Sequence, residues 1–336
     1  MNKNDESSDL LDDLIYVGRE FLVALLIMAV FISSAYFYTG NWPPMVVVES
    51  GSMQHTTNGD SEIGAIDPGD LVFVKKISGR EDVVTYVEGA RHLEVVGTDD
   101  GRIVFHRTFD RETGHVTYGK YGDVIVYYKN GITADTPIIH RAMLWLEYNS
   151  TGKSFDVPSL SIYNFTGNLT LVGAGFGGVD VNIYLGQILK NFRNSGVEPH
   201  GGFITLGDHN GAVYDQMGFR DALGRPVLPV LPGWVMGKAR GEIPWFGAFK
   251  LYFGDKNPHD GAGREAIPHN TWVNLWTTIA VIVVLSFLVD LAISLREKRD
   301  KEKRERDEDS PGGEANEGSE QEKGEQREGS SPPEQT

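Results

Sequence analysis

DVIVYYKNGITADTPIIHRAMLWLEY, residues 123–148, decides the fold of this chain. Its two ends, DVIVYYK (123–129) and IIHRAMLWLEY (138–148), are rich in the β-branched and aromatic residues that favour strands. Between them, Asn130-Gly131 is a sequence typical of a turn. The stretch therefore predicts two strands that follow one another through a turn.

Runs of similar composition lie on both sides of this stretch. They are LVFVKKI (71–77), LEVVG (93–97), RIVFHRTF (102–109), LTLVG (169–173) and GGFITLG (201–207). Pro68-Gly69-Asp70 predicts a further turn. One helix is predicted over 181–192, where the apolar residues share a face, Asp180 is placed to cap the start and Gly196 follows the end. We predict a mainly β fold with an antiparallel sheet.

Two apolar segments enclose this β-rich domain, which we place at 40–270. The first, FLVALLIMAVFISSAYFYT (21–39), carries no charge and reaches roughly 28 Å as a helix, enough to cross a bilayer. It is too long for a cleavable signal peptide, and no small-residue cleavage site follows it. The second is TWVNLWTTIAVIVVLSFLVDLAISL (271–295). Both are predicted to be transmembrane helices of a cell-membrane protein.

The charges after the second span predict its orientation. Residues 296–306 carry seven basic and four acidic groups, and the positive-inside rule places them in the cytoplasm. Two spans then place the flank 1–20 in the cytoplasm as well and 40–270 outside it. The charged tail, 296–336, is predicted to be cytoplasmic and disordered, because it is rich in Glu, Gly, Ser, Gln and Pro.

Composition excludes several classes of function. The formal charge is −16, from 31 basic and 47 acidic residues, and this argues against a nucleic-acid partner. An acidic surface that aids solubility and a halophilic source both fit this balance. The chain has no cysteine, so disulfides and cysteine-ligated metals are excluded. No His-x-x-x-His pair lies on a predicted helix, and we predict no metal site.

Three short segments carry residues that can do chemistry. They are Ser50-Gly51-Ser52-Met53, Ile138-Ile139-His140-Arg141, and Gly207-Asp208-His209-Asn210 followed by Tyr214-Asp215. Taken separately, they are an ordinary flexible loop, a strand with a histidine and a turn. Together they supply a serine, a base and an acid on the same side of the predicted membrane.

In this order after an N-terminal anchor, SGSM, GDVIVY, IIHR and GDHN…D resemble the successive conserved boxes of type I signal peptidases. WVMGKARGEIPWFG (234–247) resembles the segment that follows them in archaeal members. A histidine at the base position, where the bacterial enzymes carry lysine, points to the archaeal and endoplasmic-reticulum branch. The resemblance covers roughly 20–77, 120–145 and 201–250, whereas 80–118 and 149–199 look like insertions.

The resemblance implies an antiparallel β catalytic domain of the signal-peptidase type between two spans. Ser52 would attack the scissile carbonyl, with His140 as general base. The Ser52 N–H and the Ser50 hydroxyl would form the oxyanion hole. Asp215 or Asp208 would orient His140; Asp215 comes seven positions after Asp208, where many relatives have a spacing of six. We predict Asp215 for this position, because the chain has turned back towards His140 there, and Asp208 as its support.

The partners implied are signal-peptide-bearing preproteins with small residues one and three positions before the cut, membrane lipid, and the export translocon. No cofactor is implied.

Two other functions fit parts of the sequence. One is a catalytically silent relative that binds preproteins or scaffolds an export complex. The other is a glycosylated surface protein, since Asn149, Asn164 and Asn168 begin sequons.

A glycine-rich stretch, Gly173-Ala174-Gly175-Phe176-Gly177-Gly178, formally matches the G-x-G-x-x-G dinucleotide fingerprint. No series of strand–helix repeats surrounds it. We therefore interpret it as a glycine-rich linker.

Overall fold

The computed structural model describes residues 3–90, 93–99, 102–107, 114–254 and 263–308. The helices are α1 (Lys3–Thr39), α2 (Tyr86–Ala90), α3 (Leu185–Ser195), α4 (Asp215–Gly218), α5 (Ala248–Phe253) and α6 (Thr271–Glu308). The strands are β1 (Met45–Val47), β2 (Leu71–Lys75), β3 (Leu93–Asp99), β4 (Arg102–Arg107), β5 (Val116–Thr117), β6 (Lys120–Tyr121), β7 (Val124–Tyr127), β8 (Ile138–Asn149), β9 (Ser154–Val157), β10 (Ile162–Phe165), β11 (Asn168–Leu171), β12 (Val181–Tyr184), β13 (Gly202–Leu206) and β14 (Val235–Ile243). The chain divides into two units, Met1–Thr277 and Thr278–Thr336.

An eight-stranded antiparallel sheet lies at the centre of the first unit. Its order is β1-β2-β14-β7-β8-β9-β10, and β13 also pairs with β8. The 12-residue β8 thus has β7, β9 and β13 as neighbours. All four residues of β7 are buried, which explains their unbroken apolar sequence. The two predicted strands of 123–148 pair with each other, and His140 lies opposite Ile125.

A smaller sheet has the order β12-β11-β4-β3. Its strands come from both segments that look like insertions, 80–118 and 149–199. β4 and β11 join the two segments through a parallel pairing, from Arg102 opposite Asn168 to Phe105 opposite Leu171. Phe105, Leu169 and Val181 are buried in the same core as residues of β8 and β13. The two segments therefore form one lobe that packs on the main sheet.

The predicted strands are confirmed with small changes in their bounds, but the predicted helix over 181–192 is wrong at its start. Residues Val181–Tyr184 form β12, and helix α3 begins only at Leu185. Val181 and Ile183 are buried in the pairing with β11, so their burial fits a strand as well as a helix. Asp180 accepts the Gly173 N–H instead of capping α3. Gly196 does follow the helix, with φ 65°.

Two helices are long and apolar enough to cross a membrane, over Leu14–Thr39 and Thr271–Arg304. The first continues a helix that begins at Lys3, within the predicted flank, and the second extends to Glu308, past its predicted end at 295. The predicted disorder of the tail 296–336 is wrong for its first part, because residues 296–308 continue α6; residues 309–336 lie outside the described residues. Because of these helices the chain as a whole is mixed rather than mainly β, although its large sheet is antiparallel as predicted.

The end of α1 is joined to the main sheet. The Thr39 carbonyl accepts the Lys76 N–H at 2.8 Å, and the Asn41 side chain donates to the Met236 carbonyl at 3.1 Å. Ala35 and Thr39 are buried, whereas most of α1 before them is exposed. The last turn of α1 is therefore part of the folded domain.

Candidate active site

Ser52 lies in a short 3₁₀ turn, Gly51–Met53, between β1 and β2. Below it, Met53 is 1% exposed and packs in a small apolar cluster with Val48 and Val72. The loop after β13 holds the turn from the other side, because the His209 N–H donates to the Ser52 carbonyl at 2.8 Å. The backbone that carries the Ser52 hydroxyl is thus fixed by two separate parts of the chain.

His140 is carried by β8 and is almost completely buried. Its Nε2 lies 2.9 Å from Ser52 Oγ. On the other side of the ring, Nδ1 lies 2.8 Å from each carboxylate oxygen of Asp215. This network assigns the ring proton to Nδ1, which donates to Asp215, and leaves Nε2 to accept the Ser52 hydroxyl proton. The structure thus joins Ser52, His140 and Asp215 in one hydrogen-bonded chain.

Asp215 is the first residue of α4 and is fully buried. Its Oδ2 also accepts hydrogen bonds from the Tyr127 hydroxyl and the Thr205 hydroxyl, each at 2.6 Å. Burial and the Asp215 charge hold the pKa of Tyr127 well above its usual range, so its hydroxyl stays a donor. Sequence reasoning missed both of these donors, although Tyr127 ends the GDVIVY stretch.

Asp208 belongs to a different set of contacts. Arg141 binds it with two parallel hydrogen bonds, Nε to Oδ1 at 2.8 Å and Nη2 to Oδ2 at 2.6 Å. The His55 ring lies 2.9 Å from Oδ2. Burial alone would raise the pKa of Asp208, but Arg141, His55 and Lys120 outweigh it and hold the pKa below its usual range. Within the described residues, no hydrogen bond joins Asp208 to His140.

Arg141 extends this contact to the hairpin before β7. Its Nη1 donates to backbone carbonyls of the 117–122 segment, with the Gly122 carbonyl the nearest at 2.8 Å. Arg141 follows His140 on β8, so the two side chains point to opposite faces of the sheet. The Arg141–Asp208 pair therefore fastens the strand of His140 to the loop that holds Ser52.

Gly207 lies where the serine and histidine come together. A Cβ atom at this position would lie 2.7 Å from the Ser52 carbonyl oxygen and 2.8 Å from His140 Nε2. These distances are shorter than any normal van der Waals contact. Glycine is therefore required at position 207 for a steric reason, because a side chain there would keep Ser52 and His140 from approaching each other.

An open cavity of about 850 Å³ lies over these residues. β1 forms one wall with Met45, Val46 and Val47, and the start of β8 contributes Ile138 and Ile139. These strands are four places apart in the sheet, so the sheet is curved enough to bring them to one cavity. Ser50 Oγ lies 3.3 Å from Ser52 Oγ on the cavity wall. The predicted oxyanion-hole hydroxyl is thus beside Ser52.

The Tyr127 hydroxyl leads to a prediction. If His140 activates Ser52 as a nucleophile, Tyr127→Phe should slow turnover about tenfold with little change in KM, because a hydrogen bond to a charged group contributes about 1.5–3 kcal/mol. Steady-state kinetics on the purified variant measure this. Tyr128→Phe, at the half-buried tyrosine that follows Tyr127, is the matched control. Equal kcat for both variants would show that Tyr127 does not position Asp215.

Two acids, buried Asp70 and half-buried Glu242, hold the backbone on either side of Ser52. Asp70 accepts the N–H groups of Asp67 and Trp245, and its own carbonyl accepts the Val48 N–H. Glu242 Oε1 accepts the Gly64 N–H, while no described residue bonds to its buried Oε2. Burial raises the pKa of Asp70 to about 7, and burial with the nearby Asp67 charge raises that of Glu242 to about 7.

These raised pKa values predict a pH-dependent stability. Between its ordinary pKa of 4.5 and about 7, folded Glu242 holds a proton that the unfolded chain releases, so stability falls as pH rises through this window. Gln does not titrate, and its neutral NH2 group takes the place of Oε2, the carboxylate oxygen to which no described residue bonds. We therefore expect Glu242→Gln to raise Tm over the wild type at pH 8 and to lose this advantage near pH 4.5.

Thermal unfolding of both proteins across this pH range measures the difference. Glu62→Gln, on the exposed surface of the same loop, is the matched control for the substitution itself. A Glu242→Gln difference that stays constant from pH 4.5 to 8 would contradict the assignment.

The glycine-rich stretch 173–178 is followed by strand β12, not by a helix, so it lacks the helix N-terminus of a dinucleotide site. Its Phe176 ring packs against His209, with ring centroids 4.1 Å apart. No group of three or more His, Asp or Glu side chains among the described residues is arranged to hold a metal ion.

No known family model matches this chain, and no curated protein matches it either.

Proposed function

We propose that this chain is a membrane-bound serine endopeptidase of the type I signal peptidase class, in its archaeal and endoplasmic-reticulum branch. The observation that carries the proposal is the hydrogen-bonded chain from Ser52 through His140 to Asp215 beside an open cavity. This arrangement is the one a serine hydroxyl needs to become a nucleophile. A silent relative that only binds preproteins has no need of it.

The proposed reaction has two stages. Ser52 Oγ attacks the scissile carbonyl carbon while its proton passes to His140 Nε2. The tetrahedral intermediate collapses, the C–N bond breaks, and His140 gives the proton to the leaving amine. Water then attacks the acyl-enzyme in the same way and releases the cleaved signal peptide. The Ser52 N–H and the Ser50 hydroxyl stabilise the oxyanion of each stage, and Asp215 supports the positive charge on His140.

The shape of the cavity supports an extended peptide as substrate. Among the described residues, β1 is the last strand on its side of the main sheet, so its outer edge can pair with a further strand. A peptide paired there would be held over Ser52 with alternate side chains directed at the apolar wall of Val46, Ile138 and Ile139. Small residues near the cut fit such shallow apolar pockets.

The two candidate spans support a substrate that is itself anchored in a membrane. We propose that both termini are cytoplasmic and that 40–270 faces the outside, where exported preproteins emerge from the translocon. The basic cluster at 296–306 supports this orientation.

Incubation of the detergent-solubilised protein with a purified preprotein tests the proposal. We expect one cut after a small-x-small tripeptide, located by intact mass and N-terminal sequencing of the product. A preprotein whose small residues are replaced by Phe is the control substrate and should remain whole. An intact preprotein after prolonged incubation with folded protein would overturn the proposal.

A further inference from the structure

Five aromatic side chains form a second cleft, at the start of α6. Phe249, Tyr252 and Phe253 come from α5, and Trp272 and Trp276 come from the first two turns of α6. The rings pack edge to face, with centroids 5.4 Å apart for Tyr252–Trp272 and 5.7 Å apart for Phe249–Trp272. The cleft has a volume of about 400 Å³, and its lining among the described residues is almost wholly apolar.

These rings are not the interior of the domain. Thr271 and Leu275 are fully buried and hold the first turns of α6 on the domain. Trp276, one position further round the helix, is 57% exposed, and Phe253 is 79% exposed. A patch of exposed aromatic rings of this kind normally marks a surface that another molecule covers. The candidate span begins in this same turn, and tryptophan is typical of the bilayer interface.

Arg264 is a cation beside the cleft. The guanidinium of Arg264 lies 4.2 Å from the centroid of the Tyr252 ring and is exposed. A guanidinium is well suited to bind a phosphate through parallel hydrogen bonds. A ligand that fits both features has an apolar chain for the rings and an anionic headgroup for Arg264.

We propose that this cleft binds an anionic phospholipid, with one acyl chain among the five rings and its phosphate at Arg264. The inference rests on the proposed membrane anchoring but not on peptidase activity. The site is connected to the catalytic cleft, because Lys250 of α5 pairs with Glu49 at 2.9 Å and both residues line the larger cavity.

Tryptophan fluorescence of the full-length chain in nanodiscs tests this. Brominated phosphatidylglycerol is titrated into unlabelled phosphatidylcholine, in a Trp42→Phe background that removes another exposed interfacial reporter. We expect quenching that saturates at a low mole fraction of brominated lipid. Brominated phosphatidylcholine should need several-fold more. Loss of the signal in Trp272→Phe/Trp276→Phe identifies the reporting rings.

The second part of the test uses variants of the cleft in which Trp272 and Trp276 are retained. Arg264→Gln and Phe253→Ser should each raise the half-saturating mole fraction several-fold, whereas the exposed Arg193→Gln and Tyr163→Ser should not. Quenching that is linear in mole fraction, alike for both headgroups and unchanged in the site variants, would show surrounding bilayer lipid only and overturn the inference. Because no turnover is measured, a failed cleavage assay would leave this result standing.

Discussion

Ser52→Ala is expected to abolish cleavage of a preprotein, with a loss on the order of 10⁶-fold in kcat. The substitution removes only the Ser52 hydroxyl, and its Oγ is the atom proposed to bond to the scissile carbon. His140 would still be held by Asp215, so the remaining groups could polarise the carbonyl but could not form the acyl-enzyme. Single-turnover cleavage of a radiolabelled preprotein has the range to measure this loss.

The same substitution should leave the fold intact, because Met53, not Ser52, fills the apolar cluster below the turn. Thermal unfolding of Ser52→Ala should therefore match the wild type. Ser78→Ala, an exposed serine before α2, is the matched control and should retain full activity. Near-normal turnover by purified Ser52→Ala would exclude Ser52 as nucleophile and with it the proposed mechanism.

Replacing each of the two buried aspartates with asparagine should affect a different property: kcat for Asp215→Asn and Tm for Asp208→Asn. Asp215→Asn is expected to lower kcat about 10⁴-fold, because an amide cannot support the imidazolium and favours the wrong tautomer of His140. Tm should change little, since Asn occupies the same volume. Asp208→Asn removes the charge that pairs with buried Arg141, and breaking such a pair typically costs about 3–5 kcal/mol.

For Asp208→Asn the main effect should therefore be a lower Tm. Single-turnover rates measured on the folded fraction, well below each Tm, separate the two effects. Exposed Asp180→Asn is the control for the substitution itself. If folded Asp208→Asn were inactive while Asp215→Asn kept substantial activity, the positions assigned to the two aspartates would have to be exchanged.

The strands and the two long apolar helices could be predicted because their signals are local. The run 123–148 contains its own turn, and the two long apolar segments need no tertiary information. The start of α3 could not be predicted in this way, since Val181 and Ile183 suit a helix face and a paired strand equally well. Residues 181–184 form a strand because they pair with β11, which is a tertiary contact.

At the candidate site, the sequence indicated the serine, the histidine and the two aspartates but not their surroundings. Tyr127 and Thr205 lie on different strands, and only folding brings both hydroxyls to Asp215. Arg141 was part of the IIHR stretch, yet its bonds to Asp208 and to the 117–122 backbone join parts of the chain that are distant in sequence. Long-range convergence of this kind leaves no periodic signal in a sequence.

The junction between α1 and the main sheet has a geometric consequence. Thr39 is bonded to Lys76 next to β2, and only a short segment separates it from Ser52. In a membrane-inserted chain, the point of attack then stands at a set height above the lipid headgroups. Under the proposed function, a polypeptide anchored beside it would be cut at a fixed distance from the point where its own apolar stretch leaves the bilayer. Lengthening the Gly40–Pro44 segment would change that distance.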